Sequence, residues 1–580
     1  MLNTHMLTPT RVRVRVRVTH TRTPIHTHSH THTHTHTNTC IHAYTLTHTH
    51  THKRTRTHTN AHKYQALDWL KEWACSRQFG LGSRLPFDDT QMIESLSDST
   101  LYMAFYTICH LLPGASTLTP SSSPGAMQQA RAVTDDEWDF IFLGRALPAA
   151  GSAGRSGVFQ EELLEQMRRE FAYWYPVDLR VSGRDLIQNH LLFFLYVHAA
   201  MLPRQLWPRA IRTNGHVVIN NAKMSKSTGN FLTLRQAIQE YSADGMRFAL
   251  AQAGDSNEDA NFEHDVANAA ILKLSTELQL IEKLLPLLSD DSHELRAGPA
   301  DEDLLDRLFC NDISRCVAGA AAAHEAHQFR DALIWSFDLL QQCRDRYRSL
   351  TSSKKQHKML LRLYITTQTL LLAPFCPHYC EHVWAQLGKT DSIMRAKWPR
   401  VASEDPVLSR ISHYLDKTLS DVRVLHEKTR QNTKRAAAVS RLIIFVARDY
   451  SDWQAATLTV LADAASCGTQ FDKDFKKSLL THAQLTPFTL HNPLAKRGLL
   501  PFAQFKIDEL KVRGLEAVEQ SLPFDEALVI RACHTSLHAD MALESLEVLP
   551  WPPSDELTAL LPAVAKLAAP TPGRPACVFF

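Results

Sequence analysis

The chain has 580 residues, 44% of them hydrophobic, which is enough for three or four domains, each with its own core. Its net charge is +3, but nine Lys and Arg and no acid fall within residues 1–67, so the rest carries 54 basic and 60 acidic residues. That excludes a generally basic nucleic-acid coat and leaves any RNA contact to local patches. The eleven cysteines are scattered without a paired CxxC framework, which suits a reducing compartment. The run Leu191 to Leu202, which holds Tyr196 and His198, is too short to span a bilayer. The expectation is a soluble cytoplasmic protein with no membrane partner.

Met1 to His62 is low-complexity sequence. Arg and Val alternate from Arg11 to Val18. His and Thr alternate from His26 to Thr37, apart from Ser29, and again from Thr47 to His52. Fourteen of the 31 histidines precede Lys63. A metal-binding tail is one reading. An Arg- and Thr-rich, acid-free transit peptide is another. The regular period favours a disordered or artefactual tail, such as a translated dinucleotide repeat.

From Tyr64 the composition becomes globular. Helical spacing marks Tyr64 to Cys75, then Ser95 to Leu112, which Ser97 or Asp98 could cap. Pro113 to Gly157 reads as a Gly/Ser/Pro/Ala-rich insertion holding one ordered piece, Asp135 to Phe142. Glu161 to Tyr173 is a predicted helix, and Val177 to Val181 a predicted buried strand. Ser182-Gly183-Arg184-Asp185 follows, then a helix from about Leu186. His216 to Ile219 is a short strand. Amphipathic stretches from Leu234 to about Leu387 predict a helical bundle. Ile411 to Thr429 adds a helix. Leu442 to Val446 and Leu458 to Leu461 read as strands of a small mixed domain, with Asp472 to His482 a helix within it. The last thirty residues, rich in Ala and Pro, read as loose.

The strongest chemical signal is Lys223-Met224-Ser225-Lys226-Ser227, followed by Thr228-Gly229-Asn230. A chain this long contains such a five-residue string by chance with a probability of about 10⁻⁴. Two lysines on a loop with small neighbours suit a triphosphate, because each ammonium is a compact charge with three donors. Ser225, Ser227 and Thr228 add hydroxyls. The plainer alternative is an exposed basic turn. A second pattern, strand, small turn, acid, helix, runs through Val181-Ser182-Gly183-Arg184-Asp185. Gly183 allows close backbone approach, and Asp185 can accept from ribose hydroxyls at the carboxyl end of a parallel sheet. As a plain alternative, Asp185 caps a helix.

The KMSKS string resembles the signature loop of class I aminoacyl-tRNA synthetases. Its flanks resemble the leucyl-tRNA synthetases of the cytosolic eukaryotic type: Thr213-Asn214-Gly215-His216, Ser242-Ala243-Asp244-Gly245-Met246-Arg247 and Ala253-Gly254-Asp255-Ser256-Asn257-Glu258-Asp259-Ala260-Asn261-Phe262. Isoleucyl- and valyl-type enzymes also carry KMSKS but differ around Asp185 and in the Ser-Ala-Asp-Gly-Met segment. The resemblance implies ATP-dependent ligation of leucine to tRNA(Leu) through a leucyl-adenylate. It implies Lys223 and Lys226 as catalytic residues, Lys226 being the usual phosphate contact. It implies an ATP site of Gly183, Asp185, Asn189, His190, Lys223, Met224, Ser225, Lys226 and Ser227. ATP with Mg2+ is then a co-substrate and no structural metal is expected. Partners are leucine, ATP and tRNA(Leu), with a multi-synthetase complex an open partner.

The family's connective region is similar to Ala74-Cys75-Ser76-Arg77-Gln78-Phe79-Gly80-Leu81-Gly82 and to Ile93 through Thr100, where Ser95, Ser97 and Tyr102 could face substrate. Phe87 and Met92 stand where the family usually has Trp. Cys376, His378, Cys380 and His382 have C-x-H-x-C-x-H spacing, which would splay ligands around a helix and is not a usual zinc site. Lys273, Arg307, Arg315, Arg330, Arg344, Arg346 and Arg348 could line RNA phosphates in the bundle, although solvated faces are commoner.

The resemblance implies an α/β fold: the C-terminal part of a class I Rossmann-like catalytic domain at 63–264, an α-helical tRNA-binding bundle at 265–400 and a small α+β domain at 401–580. A HIGH-type His-x-Gly-His element and the Thr-rich motif of an editing domain have no counterpart in the string. The expectation is therefore the C-terminal half of the enzyme, with unpaired strand edges where half of the parallel sheet would lie. A catalytically dead tRNA-binding relic is the alternative from a different functional class.

Overall fold

The computed structural model describes residues 74–80, 84–85, 87–112, 132–225, 227, 229–256, 258–288, 293–352, 354–432, 440–560, 567 and 569–580. The Thr/His-rich segment, residues 64–73 of the predicted helix Tyr64 to Cys75, Lys226, Thr228 and Asn257 lie outside the described residues, and Ala74 and Cys75 are not helical. The chain forms two compact units, Met1–Val218 with Ser256–Ala260 and Ile219–Asp255 with Asn261–Phe580.

In the first unit, the predicted helix Ser95 to Leu112 breaks into Ser95–Asp98, Tyr102–Tyr106 and a 3-10 turn, Cys109–Leu111. The hydroxyls of Thr100 and Thr107 donate back to the carbonyls of Ser97 (2.8 Å) and Ala104 (2.7 Å), which competes with a continuous helix. The cap is Glu94, which accepts from the Leu96 N–H at 2.7 Å, rather than Ser97 or Asp98. Helix Asp135–Leu143 starts at a capping box of Thr134 and Glu137 and stops at Gly144 in the left-handed region, φ 71°. Helix Glu161–Trp174 turns Leu164, Met167 and Phe171 inward at three- and four-residue spacing. Leu164 and Met167 pack with Ile108, Phe140 and Ile141. Burial of each such side chain stabilises the unit by about 1.5–3 kcal/mol.

The predicted strand at 177–181 falls instead at Arg180–Gly183. It pairs in parallel with Ile211–Asn214, a strand the sequence reading did not identify, in the register Arg180 with Ile211 through Gly183 with Asn214. These two strands form a complete sheet among the described residues. Val181 is 59% exposed, not buried, because a lone strand pair covers only part of its faces. A 3-10 turn, Arg184–Leu186, leads to helix His190–Met201.

The second unit opens with the Lys223 loop and helices Leu234–Tyr241 and Ala243–Ala253. Helices His264–Leu284, Leu304–Glu325, Leu340–Leu350 and Lys358–Leu372 then build a bundle around Phe309, Ile313, Tyr347, Tyr364 and Ile365. Phe309 and Tyr347 stack at 4.4 Å. A π-helical turn, Ile334–Leu339, presses Trp335 onto Gly319, where a Cβ would stand 2.4 Å from the indole. Helix Pro406–Asn432 leads to a three-stranded sheet in which Arg441–Val446 is central. It pairs in parallel with Ser545–Pro550 and antiparallel with Ala576–Phe579. Leu442 to Phe445 are fully buried. The C-terminal residues read as loose thus supply an edge strand. The predicted strand Leu458 to Leu461 lies inside helix Asp452–Ser466, whose buried Leu458, Val460 and Leu461 share a core with Leu499, Ala503 and Ile507. The predicted helix from Asp472 is Lys473–Ser478, capped by Asp472, with a 3-10 turn after it.

Candidate active site

Gly183 ends the strand Arg180–Gly183, and Asp185 sits on the turn after it. A Cβ at Gly183 would lie 2.5 Å from Asp185 Oδ1, so glycine is what lets this carboxylate fold back over the strand end. The Asp185 side chain is 58% exposed, and His216 Nε2 lies 3.9 Å from its Oδ1. His216 follows Gly215, whose Cβ would stand only 2.2 Å from the backbone oxygen of Glu258. No larger residue fits there without moving backbone. Asp259 Oδ1 accepts the His216 backbone N–H at 2.8 Å and Arg184 Nη2 at 2.7 Å. Donation by the His216 N–H, helped by the Arg184 charge, holds the Asp259 carboxyl below its usual range.

Asn189 caps the next helix, its Oδ1 accepting the His190 N–H at 2.5 Å. The His190 ring is buried. Burial pushes its pKa down, with the Ser99 backbone opposing and the Arg180 charge reinforcing. His198, two turns further on, is spoken for: its Nδ1 pairs with the Phe194 carbonyl at 2.8 Å and its Nε2 with Tyr175 Oη at 3.2 Å. Tyr102 receives Arg180 Nη1 at 3.2 Å, so it serves the strand Arg180–Gly183 and is tied to a cation.

Gly183, Asp185, Asn189 and His190 belong to the first unit, and Lys223, Met224, Ser225 and Ser227 to the second. Ahead of the lysine, Asn220 and Asn221 take positive φ (47° and 62°), a conformation Asn tolerates better than most residues. Asn230 staples the loop base: its Nδ2 donates to the carbonyls of Ala222 (3.3 Å) and Lys223 (3.2 Å), and its own carbonyl accepts from the Ser225 N–H at 2.9 Å. The hydroxyls of Ser225 and Ser227 pair at 2.8 Å. Gly229 supplies the left-handed turn, φ 72°. Lys223 and Met224 are exposed on this stapled loop. A Thr233–Gln236 capping box then starts the following helix. The signal for Asn230 was present in the sequence as the residue closing the motif.

Cys376 and Cys380 are fully buried, while the His378 side chain is 80% exposed beside Asp244 and His382 pairs with Gln386. The four do not converge. Most of the candidate RNA-facing cations are engaged within the bundle. Arg344 is buried against Glu277, and Arg346 bonds Asp312 and Asp416. Arg315 meets Asp312 at 3.2 Å, and Lys273 meets Asp338 at 2.8 Å. Arg307, Arg330 and Arg348 are exposed, the last 3.3 Å from Asp345.

Residues 158–280 match the family model of class I tRNA synthetases (M), and residues 306–441 that of the anticodon-binding domain of tRNA ligase. The chain is 40% identical over 495 residues to the cytoplasmic leucine–tRNA ligase of Pongo abelii, covering 83% of this chain and 40% of that protein. It is 37% identical over 530 residues to the Arabidopsis thaliana protein of that name, covering 88% and 47%. For Saccharomyces cerevisiae the identity is 35% over 485 residues, covering 80% and 41%. The chain spans less than half the length of these relatives. Among the described residues no helix is long and apolar enough to cross a membrane. Two synthetase family models, the stapled KMSKS loop and this identity over most of the sequence lead to one conclusion: the chain belongs to the leucine–tRNA ligase family of class I tRNA synthetases.

Proposed function

We propose that the chain is the part of a cytoplasmic leucine–tRNA ligase that binds ATP and holds tRNA(Leu). The observation that carries this reading is the loop at 223–230, stapled by Asn230 so that Lys223 stands out from a fixed base. In the reaction, a leucine carboxylate oxygen attacks the α-phosphate of ATP. The bond to the pyrophosphate oxygen breaks, and leucyl-adenylate forms. Leucine then passes to a terminal ribose hydroxyl of the tRNA, releasing AMP. Negative charge shifts toward the β/γ-phosphates as pyrophosphate leaves. Lys223 and Lys226, aided by Mg2+, stabilise that charge more in the transition state than in the ground state. Gly183 and Asp185 receive the ribose, with Asn189 and His190 on the neighbouring helix start. Ser225 and Ser227 keep the loop close to the phosphates, and Met224 lies between them and Lys223. The segments 63–264, 265–400 and 401–580 serve as catalytic part, helical tRNA-binding bundle and C-terminal tRNA-contacting domain.

Calorimetric titration of Mg2+-ATP into the chain, with Lys223→Ala and Lys226→Ala as variants, tests the reading. Each substitution is expected to weaken binding about tenfold or more, the worth of a charge-assisted contact. If the unaltered chain binds tRNA but not ATP, the non-catalytic tRNA-binding reading replaces this one.

A further inference from the structure

One carboxylate in the first unit is engaged more heavily than its exposure requires. Asp259 Oδ1 gathers the His216 backbone N–H (2.8 Å) and the Arg184 guanidinium (2.7 Å), and it lies 3.7 Å from His216 Nδ1. Both partners flank Asp185. Arg184 precedes it on the same 3-10 turn. The His216 ring stands between the two carboxylates, with Nδ1 toward Asp259 and Nε2 3.9 Å from Asp185 Oδ1. The backbone keeps the arrangement tight, since Gly215 packs on the Glu258 carbonyl with no room for a Cβ. Asp185 itself is 58% exposed and folds back over Gly183, where a Cβ would lie 2.5 Å from its Oδ1.

We infer that Asp259 is a positioning residue for ribose recognition, acting through Arg184 and His216 to hold the Asp185 carboxylate in its place over Gly183. Asp259 makes no contact with the nucleotide. It fixes the turn that carries Asp185 on one side and the imidazole that faces Asp185 on the other. Fixing an exposed carboxylate in advance removes the entropy that its ordering would cost on binding. The inference rests on the reading of Asp185 as the ribose acceptor.

The test compares ATP with 2′,3′-dideoxy-ATP, which offers no ribose hydroxyls, in calorimetric titrations of the full chain and its variants. Asp259→Ala should weaken ATP about tenfold, the worth of losing a hydrogen bond to a charged group, and weaken the dideoxy nucleotide under about twofold. Asp259→Asn, which keeps an acceptor for the His216 N–H, should recover part of the ATP affinity. Adding Asp259→Ala to Asp185→Ala should cost nothing further, since both act through one contact. Equal weakening of the two nucleotides would mean that Asp259 only supports the fold, and no weakening of either would mean that it has no role; both overturn the inference while leaving nucleotide binding intact. If the unaltered chain binds neither nucleotide, the ATP reading falls and takes the inference with it.

Discussion

The carboxylate of Asp244 accepts the backbone N–H of Tyr379 at 2.6 Å, across 135 positions of chain. Tyr379 is the third residue of helix Pro377–Gln386, whose own N-cap, Cys376, makes no side-chain cap. The cap therefore comes from another helix. On that same helix, Arg247 donates to the carbonyls of Phe375 (2.8 Å) and Pro374 (2.7 Å). The family-like segment Ser242 to Arg247 and the segment Pro374 to Tyr379 are thus two sides of one clasp. Asp244 is only 6% exposed, so Asp244→Ala removes a buried acceptor, leaves the part-buried Tyr379 N–H without its cap and should lower stability by about 1–3 kcal/mol. A urea midpoint unchanged within about 0.5 kcal/mol, the range of an indifferent surface substitution, would contradict the clasp.

A buried charge pair sits deeper in the bundle. Glu277 is 1% exposed and meets Arg344, Gln341 at 2.5 Å and the Tyr364 hydroxyl at 2.7 Å. Desolvation would lower the pKa of Arg344, but Tyr364 and Glu277 together outweigh it and raise it, so the guanidinium stays charged. Arg344→Met leaves Glu277 unpaired and should destabilise by about 3–5 kcal/mol. Glu277→Gln combined with Arg344→Met should cost less than the sum of the single changes, because the uncompensated charge is gone. A double-mutant cycle in urea measures this, and strict additivity would rule out the pairing.

Glu526, on the segment Leu522 to Glu526, is buried beside Tyr414 and the Gly573 N–H, and desolvation pushes its carboxyl from the ordinary 4.5 to about 7. The folded state then holds a proton that the unfolded chain has lost between those values, so stability falls as pH rises from about 4.5 to about 7. The full effect is about 3 kcal/mol. Glu526→Gln should flatten this window and raise the melting temperature at pH 8. Thermal melts of both proteins from pH 4 to 8 decide it; parallel curves would exclude Glu526 as the source.

Gly215 makes a steric prediction. A methyl there would lie 2.2 Å from the Glu258 oxygen and 2.7 Å from the Asp259 nitrogen, both backbone atoms that cannot swing away. Gly215→Ala should therefore displace the segment around 256–260 and weaken ATP binding by about tenfold or more, as positional shifts near a site do. Gly229→Ala meets no atom but demands φ 72°, so it should cost about 1 kcal/mol locally and leave the Asp185 turn unaffected. Calorimetry of both variants separates the two effects, and equal losses would contradict the steric account.

What the sequence made legible was what short-range patterns encode. Lys223 ends a short strand ahead of helix Leu234–Tyr241, and Gly183 ends a strand ahead of the turn that carries Asp185, because glycine, small residues and capping groups act locally. Leu458 to Leu461 read as a strand because three apolar residues around Thr459 are too short a run to reveal their period; the helix became evident only from the core they meet. Ala576–Phe579 was hidden for a related reason: its partner strand lies over 130 positions away, and pairing is a long-range fact. The bundle cations show the same limit. Arg344 has the spacing of a surface residue, and only Glu277, 67 positions earlier, reveals it as buried. Asp259 was read as part of a family string, and its grip on Arg184 and His216 required three dimensions.

Leucine-dependent exchange of pyrophosphate into ATP, made on the protein encoded by the native transcript, reads the adenylate-forming step itself. Exchange should need leucine, fall by a factor of about 10² or more with Lys226→Ala, as for removal of one transition-state donor, and fall less with Asp259→Ala. Exchange that ignores leucine, or that Lys226→Ala leaves untouched, would contradict the leucine–tRNA ligase reading.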